Sequence, residues 1–176
     1  GVMGFADLLV RLGVPYNSEE GVEIGRRILE IMDEESKKES ERLAESRGVF
    51  PEWEQSIWGP DETCARAPDG ERIRPERRLR NCNVTTVAPT GTISIIAGCS
   101  SGIEPLFAVA FMRNQAGVLM PDVNEDFVRV AKEQGWHSEE LMQKIAEEGH
   151  IDFDEVPEDV RRVFVTAHDV TPEWHI

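Results

Sequence analysis

The stretch TTVAPTGTISIIAGCSSGIEP, residues 85–105, packs small and hydroxylated residues into a strand–loop–apolar–loop pattern. Within it, Thr90, Gly91, Thr92, Ile93 and Ser94 can present successive backbone N–H groups, with hydroxyls on Thr90, Thr92 and Ser94. Pro89 donates nothing and would fix the turn. Gly91 lets a ligand approach the backbone closely and admits a positive φ. If a helix starts at this loop, its N-terminus adds a dipole favourable to an anion. This is phosphate-cradle chemistry without a lysine. It is not a Walker A loop, which ends in Gly-Lys-Ser/Thr. Gly91, Gly98 and Gly102 are also wrongly spaced for a dinucleotide fingerprint. The same residues would equally make a tight turn in a buried sheet.

Other candidate groups are weaker. Cys99 could be a nucleophile or radical relay, but no histidine or basic residue is near it in sequence, and a small buried thiol explains it too. Cys64 and Cys82 have no paired base either. His137, His150, His168 and His175 show no i,i+4 pair and no metal-ligand spacing, so no metal site is expected. Glu104, between Ile103 and Pro105, is either paired by backbone N–H groups or poised at a site. Arg72, Arg74, Arg77, Arg78 and Arg80 crowd together; they face an anion or pair with surrounding acids.

These groups must be held by a helix-rich α/β framework. Val2, Phe5, Leu9 and Leu12 share a helical stripe at the start, closed by Gly13-Val14-Pro15. A second helix is expected from Ser18, with Glu19 and Glu20 in its first turn and apolar positions at Val22, Ile24, Ile28, Ile31 and Met32. The charged run DEESKKESER, residues 33–42, continues it as a solvated face. Residues 50–58 read as a short aromatic helical turn, and residues 59–75 as a Pro/Gly-rich loop. Residues 84–87, VTTV, are β-branched throughout and predict a buried strand. Three helices follow Pro121. They are marked by Phe127, Val130 and Ala131; by Leu141, Met142 and Ile145 behind a Ser138 cap; and by Val160, Val163, Phe164 and Ala167 behind Pro157. Thr171-Pro172-Glu173 is a further helix start with little chain after it, so the chain reads as cut at both ends.

Composition narrows the function class. The chain has 176 residues, 40% hydrophobic and 30% charged, enough apolar content for a core. Its formal charge of −15, from 34 acidic and 19 basic residues, disfavours nucleic acid and anionic membrane surfaces as partners. No apolar run reaches membrane-span length. The cysteines number three, widely spaced and without a CxxC pair, which points to a reducing cytoplasm.

Taken together, the motifs resemble a known family. APTGTISIIAGCSSGIEP, from Ala88 to Pro105, closely resembles the phosphate-loop region of the ribonucleotide reductase catalytic subunit. The likeness is nearest to the class II, adenosylcobalamin-dependent branch, because class I loops usually carry small residues and serines where this chain has Gly91-Thr92-Ile93. GVMGFADLL at the start, RGVFPEWEQSI from Arg47, RNCNVTT from Arg80 and VTPEWHI from Val170 agree with that family in the same order.

The resemblance implies a portion of a ten-stranded α/β barrel, with residues 1–176 as one piece of the catalytic domain. It implies radical reduction of ribonucleoside di- or triphosphates to deoxyribonucleotides, initiated from adenosylcobalamin. The substrate phosphates would be held at Pro89, Thr90, Gly91, Thr92, Ile93 and Ser94. Expected partners are the ribonucleotide, the remaining segments or chain of the reductase, and further copies in a homo-oligomer. The family's Asn-x-Cys-x-Glu motif is absent from the chain, so no catalytic residue is expected in it. A non-catalytic nucleotide-binding or assembly subunit that kept the loop is the alternative.

Overall fold

A computed structural model describes residues 1–115 and 117–174, and it divides into two compact units, Gly1–Gly25 with Val87–Ile176, and Arg26–Thr86.

In the first unit, α1 (Phe5–Leu12) buries Ala6 and Leu9. It closes on Gly13, whose left-handed backbone turns its N–H onto the Leu9 and Val10 carbonyls. Helix α2 (Glu19–Arg47) starts where expected: Ser18 Oγ accepts the Gly21 N–H at 3.1 Å. It runs further than the charged stretch suggested, ending at Arg47 before Gly48. Helix α3 (Gly91–Ala97) follows the candidate loop.

A hairpin of β1 (Ala110–Gln115) and β2 (Val118–Val123) pairs antiparallel, with Ala110 opposite Val123 and Met112 opposite Pro121. It is the one sheet among the described residues. Helices α4 (Glu125–Gln134), α5 (Glu139–Glu148) and α6 (Glu158–Val163) complete the unit. Asn124 caps α4 through Phe127 N, and Ser138 caps α5 through Leu141 N, each at 3.1 Å. The core gathers Phe127, Ile145, Val156 and Phe164 with Ala6 of α1 and Leu106.

Two expectations are corrected here. Residues 84–87 are not a strand: they join no ladder, and Val87 is 68% exposed. A β-branched run becomes a strand only beside a partner, and no described segment pairs with it. The last helix ends at Val163 and does not reach Ala167. Asp169 Oδ2 accepts both the N–H and the hydroxyl of Thr166, at 2.8 and 2.7 Å, so a local turn replaces the helix. That turn places Ala167 N on the Leu106 carbonyl at 2.7 Å. The Thr171-Pro172 start yields only a 3-10 turn over Pro172–Trp174; His175 and Ile176 lie outside the described residues.

In the second unit, Phe50, Trp53 and Leu79 form a small core against Val49 and Trp58. Trp53 Nε1 donates to the Arg77 carbonyl at 2.8 Å. Two arginines of the arginine-rich run pair with acids, while Arg78 lies over the Trp53 ring and Arg80 donates to the Val49 carbonyl. Arg72 pairs with Asp61 at 2.9 Å, and Arg77 bridges Glu34 at 2.8 Å and Glu41 at 2.7 Å on one face of α2. Arg77 holds the Glu41 carboxyl below the usual carboxylate range, chiefly by hydrogen bonding. A carboxylate lowered on folding stabilises above its unfolded pKa, and that stability is lost as pH falls through the folded value. Arg77→Met should cost about 1 kcal/mol at neutral pH, since Glu41 is partly exposed. The variant should also lose less stability than the parent between neutral pH and about pH 3. Thermal unfolding followed at both pH values checks this; equal losses in the two proteins would contradict it.

Candidate functional site: the loop before α3

Thr90 is the one non-glycine residue with positive φ among those described, at φ 51° and ψ 17°. Such a backbone is costly for a β-branched residue, and it persists only where neighbours hold it. The sequence reading gave the left-handed position to Gly91; the structure gives it to Thr90, and Gly91 is instead the first helical residue. Thr90 sits at the N-cap of α3, yet its side chain does not cap the helix. Its Oγ1 accepts the Gly102 N–H at 2.7 Å.

The first helical hydrogen bond runs from Ser94 N to the Thr90 carbonyl at 2.9 Å. The N–H groups of Gly91, Thr92 and Ile93 precede that bond, on residues that are all exposed. A Cβ built on Gly91 would meet no atom within 4 Å, so the space over this end of α3 is open. The N–H groups of Gly91, Thr92 and Ile93 thus lie together at the start of α3, while that of Ser94, which the sequence reading also counted, is spent within the helix.

The hydroxyls divide differently. Thr92 is exposed. Ser94 is 2% exposed, its Oγ lying 3.0 Å from the Gly91 carbonyl and 2.9 Å from Ser101 Oγ. Ser94 therefore holds the loop from behind and does not face its open side. Pro89 is exposed before the turn, and Ile93 carries its side chain 53% exposed.

Ser100, Ser101 and Tyr16, which sequence reasoning did not select, complete the arrangement with Gly102 and the candidate Glu104. Ser100, Ser101 and Gly102 run behind α3, with Gly4 N donating to the Ser100 carbonyl at 2.8 Å. Their only sequence signal was the small-residue run itself. Glu104 has an exposed side chain, and its backbone N–H bonds to the Ser101 carbonyl at 3.0 Å. Tyr16 donates its hydroxyl to the Ile103 carbonyl at 2.8 Å. Burial raises the Tyr16 phenol pKa, and the Glu104 carboxylate raises it further.

The cysteines are free thiols: Cys64 buried, Cys82 exposed and Cys99 half-buried. Among the described residues there is no cluster of metal-ligating side chains and no helix long and apolar enough to cross a membrane. The first unit also holds a cavity of about 660 Å³, whose lining includes His150, Asp152, Arg161, His168 and Asp169.

Comparison with known proteins gives the chain a family. The family model for the ribonucleotide reductase barrel domain matches residues 1–176. A vitamin B12-dependent ribonucleoside-diphosphate reductase of Thermoplasma acidophilum is 48% identical over all of this chain, which covers 21% of that protein. One of the same name from Mycobacterium tuberculosis is 42% identical, again over the whole chain and 23% of the relative. The chain thus spans between a fifth and a quarter of the length of these two relatives. The Actinobacillus ureae class Id ribonucleotide reductase alpha subunit superposes with a TM-score of 0.68 over 94% of this chain and 26% of its own. At 21% identity that likeness shows a shared fold.

Proposed function

The chain belongs to the ribonucleotide reductase barrel-domain family, and on that premise we propose that it is the portion of a vitamin B12-dependent ribonucleoside-diphosphate reductase that holds the substrate's phosphates. The observation that carries the reading is the open N-terminal end of α3. There the N–H groups of Gly91, Thr92 and Ile93, with the Thr92 hydroxyl, form a donor set for an anion. Pro89 and the left-handed Thr90 set the approach, and Ser94 braces the turn. The N–H groups would bind the phosphates, and this would orient the ribose for reduction.

The whole protein would carry the ten-stranded barrel, of which residues 1–176 supply one piece, and would assemble as a homo-oligomer in the cytoplasm. Its cofactor would be adenosylcobalamin, the form the family resemblance implies and one in keeping with the vitamin B12 dependence in the relatives' names. When bound, that group supplies the radical by homolysis of its cobalt–carbon bond. The residues in hand do not fit it. The cavity of about 660 Å³ belongs to the size class that holds drug-sized ligands, well below a corrin with its adenosyl and nucleotide arms, and charged groups line it. The corrin is therefore assigned to no residue of this segment.

Gly91→Val tests the phosphate site in the complete reductase. Because open space surrounds the Gly91 position, the added side chain should be accommodated while shielding the donors. Ribonucleoside-diphosphate binding should weaken by about 1–3 kcal/mol, the loss of one or two charge-assisted hydrogen bonds. Equilibrium titration decides it; unchanged affinity in a folded variant would remove the loop from the site.

A further inference from the structure

Helix α1 begins on Gly4, a left-handed N-cap residue with no side chain to offer its first turn. The missing cap comes from a residue far along the chain. Ser100 Oγ accepts the Asp7 N–H at 3.4 Å, while Asp7 Oδ2 accepts the Ser100 N–H at 2.6 Å. This is the reciprocal exchange of a capping box, with the serine supplied from outside the helix. Gly4 N adds its bond to the Ser100 carbonyl at 2.8 Å.

The next two residues point the other way. Ser101 Oγ meets Ser94 Oγ at 2.9 Å, and the Gly102 N–H binds Thr90 Oγ1 at 2.7 Å. The Gly102 carbonyl accepts from Phe5 N at 3.5 Å. Residues 100–102 therefore clamp the start of α1 to the start of α3. The hydroxyl that would ordinarily cap α3, that of Thr90, is committed to the clamp, which leaves the leading N–H groups of α3 uncapped from its own side chain.

We infer that Asp7 is a positioning residue for phosphate binding: by fixing Ser100 it fixes Gly102, and through Gly102 the left-handed Thr90 from which the α3 donors are aimed. The inference rests on the phosphate-site reading above. Asp7 touches no substrate in it; the carboxylate acts through one tripeptide. Its charge also suits the first turn of α1, where a negative group is favoured. Ser100 N and the N-terminal dipole of α1 are the groups it satisfies.

The test compares Asp7→Ala, Asp7→Asn and Gly91→Val in the complete reductase, measuring KM and kcat for a ribonucleoside diphosphate together with the thermal midpoint. Asp7→Ala should raise KM about tenfold, the effect of about one lost hydrogen bond, with kcat at saturation within about twofold. Asp7→Asn keeps an oxygen that accepts the Ser100 N–H, so it should recover most of the affinity. Should Asp7→Ala prove unstable, Ser100→Ala loosens the same clamp by removing only the hydroxyl, and it should raise KM in the same direction. A Gly91→Val effect on KM with none from Asp7→Ala or Ser100→Ala would overturn the inference and leave the phosphate site standing. No effect from any of the variants would overturn the phosphate site itself, and the inference with it. A fall in thermal midpoint and kcat without a rise in KM would reduce Asp7 to a stabilising cap and overturn the inference.

Discussion

Supplied with a ribonucleoside diphosphate, a dithiol reductant and adenosylcobalamin, the 176-residue chain on its own should form no deoxyribonucleotide. The first reason is chemical. The family resemblance implies an Asn-x-Cys-x-Glu motif for the radical cysteine, and the chain has none. Cys64 is buried with its Sγ 4.0 Å from the Asp61 carbonyl, Cys82 is exposed, and Cys99 packs beside Gly4, so none has a thiol partner. The second reason is physical. Helix α3 buries Ser94 and turns its apolar side chains outward, with Ile95 75% and Ile96 81% exposed. Phe107 nearby in sequence is 73% exposed. Each such side chain forgoes about 1.5–3 kcal/mol of burial, and a patch of them favours association. The isolated chain should therefore sediment as self-associated species, while the complete reductase carrying the same residues turns over. Deoxyribonucleotide made by the isolated chain would show that the catalytic residues lie within it. Replacing Cys64, Cys82 or Cys99 by serine in the complete enzyme should leave turnover within an order of magnitude, and loss beyond that at any one would show the same.

Local signals were legible wherever a side chain acts on its own backbone. Ser18, Ser138 and Pro157 each marked a helix start that the structure has, because a cap needs only the next few residues. The candidate loop was legible for the same reason: small residues, hydroxyls and a breaker stand together in the chain. What depended on distant partners was not. VTTV carries strand propensity, but a strand exists only in a ladder, and the described residues provide none for it. The β1–β2 hairpin carries little sequence signal, since alternation is weak in AFMRNQ and VLMPDV and Pro121 argues against a strand. The helix stop at Val163 follows from Asp169 and its bonds to Thr166, which compete with a pattern that otherwise continues. In the candidate loop, the run of backbone N–H groups is readable from the sequence but its scaffolding is not. Asp7 and Ser100 stand 93 positions apart, and nothing in either neighbourhood announces the other.

Phe127→Ala should have the largest effect on stability, about 3–5 kcal/mol by truncation of a filled core position. Phe127 is 0% exposed at the start of α4, where the cap from Asn124 fixes its backbone. Its ring lies edge-on to Trp136 at 5.3 Å and to Phe164 at 5.1 Å, each pair adding about 0.5–1.5 kcal/mol beyond area burial. The same core includes Ala6 of α1, and Arg11 of α1 donates to Asp126 of α4 at 2.9 Å. Loss of this packing thus loosens the helix that anchors the clamp, but only in the unfolded fraction. At a temperature where the variant remains folded, its KM should match the parent's, in contrast to Asp7→Ala, where KM rises. Phe127→Leu, which keeps much of the volume but loses both ring pairs, should cost less than Phe127→Ala and still be measurably destabilising. Denaturant unfolding of the three proteins measures the series. Equal stability of the parent and the alanine variant would mean that the aromatic cluster is not the core on which the site is built.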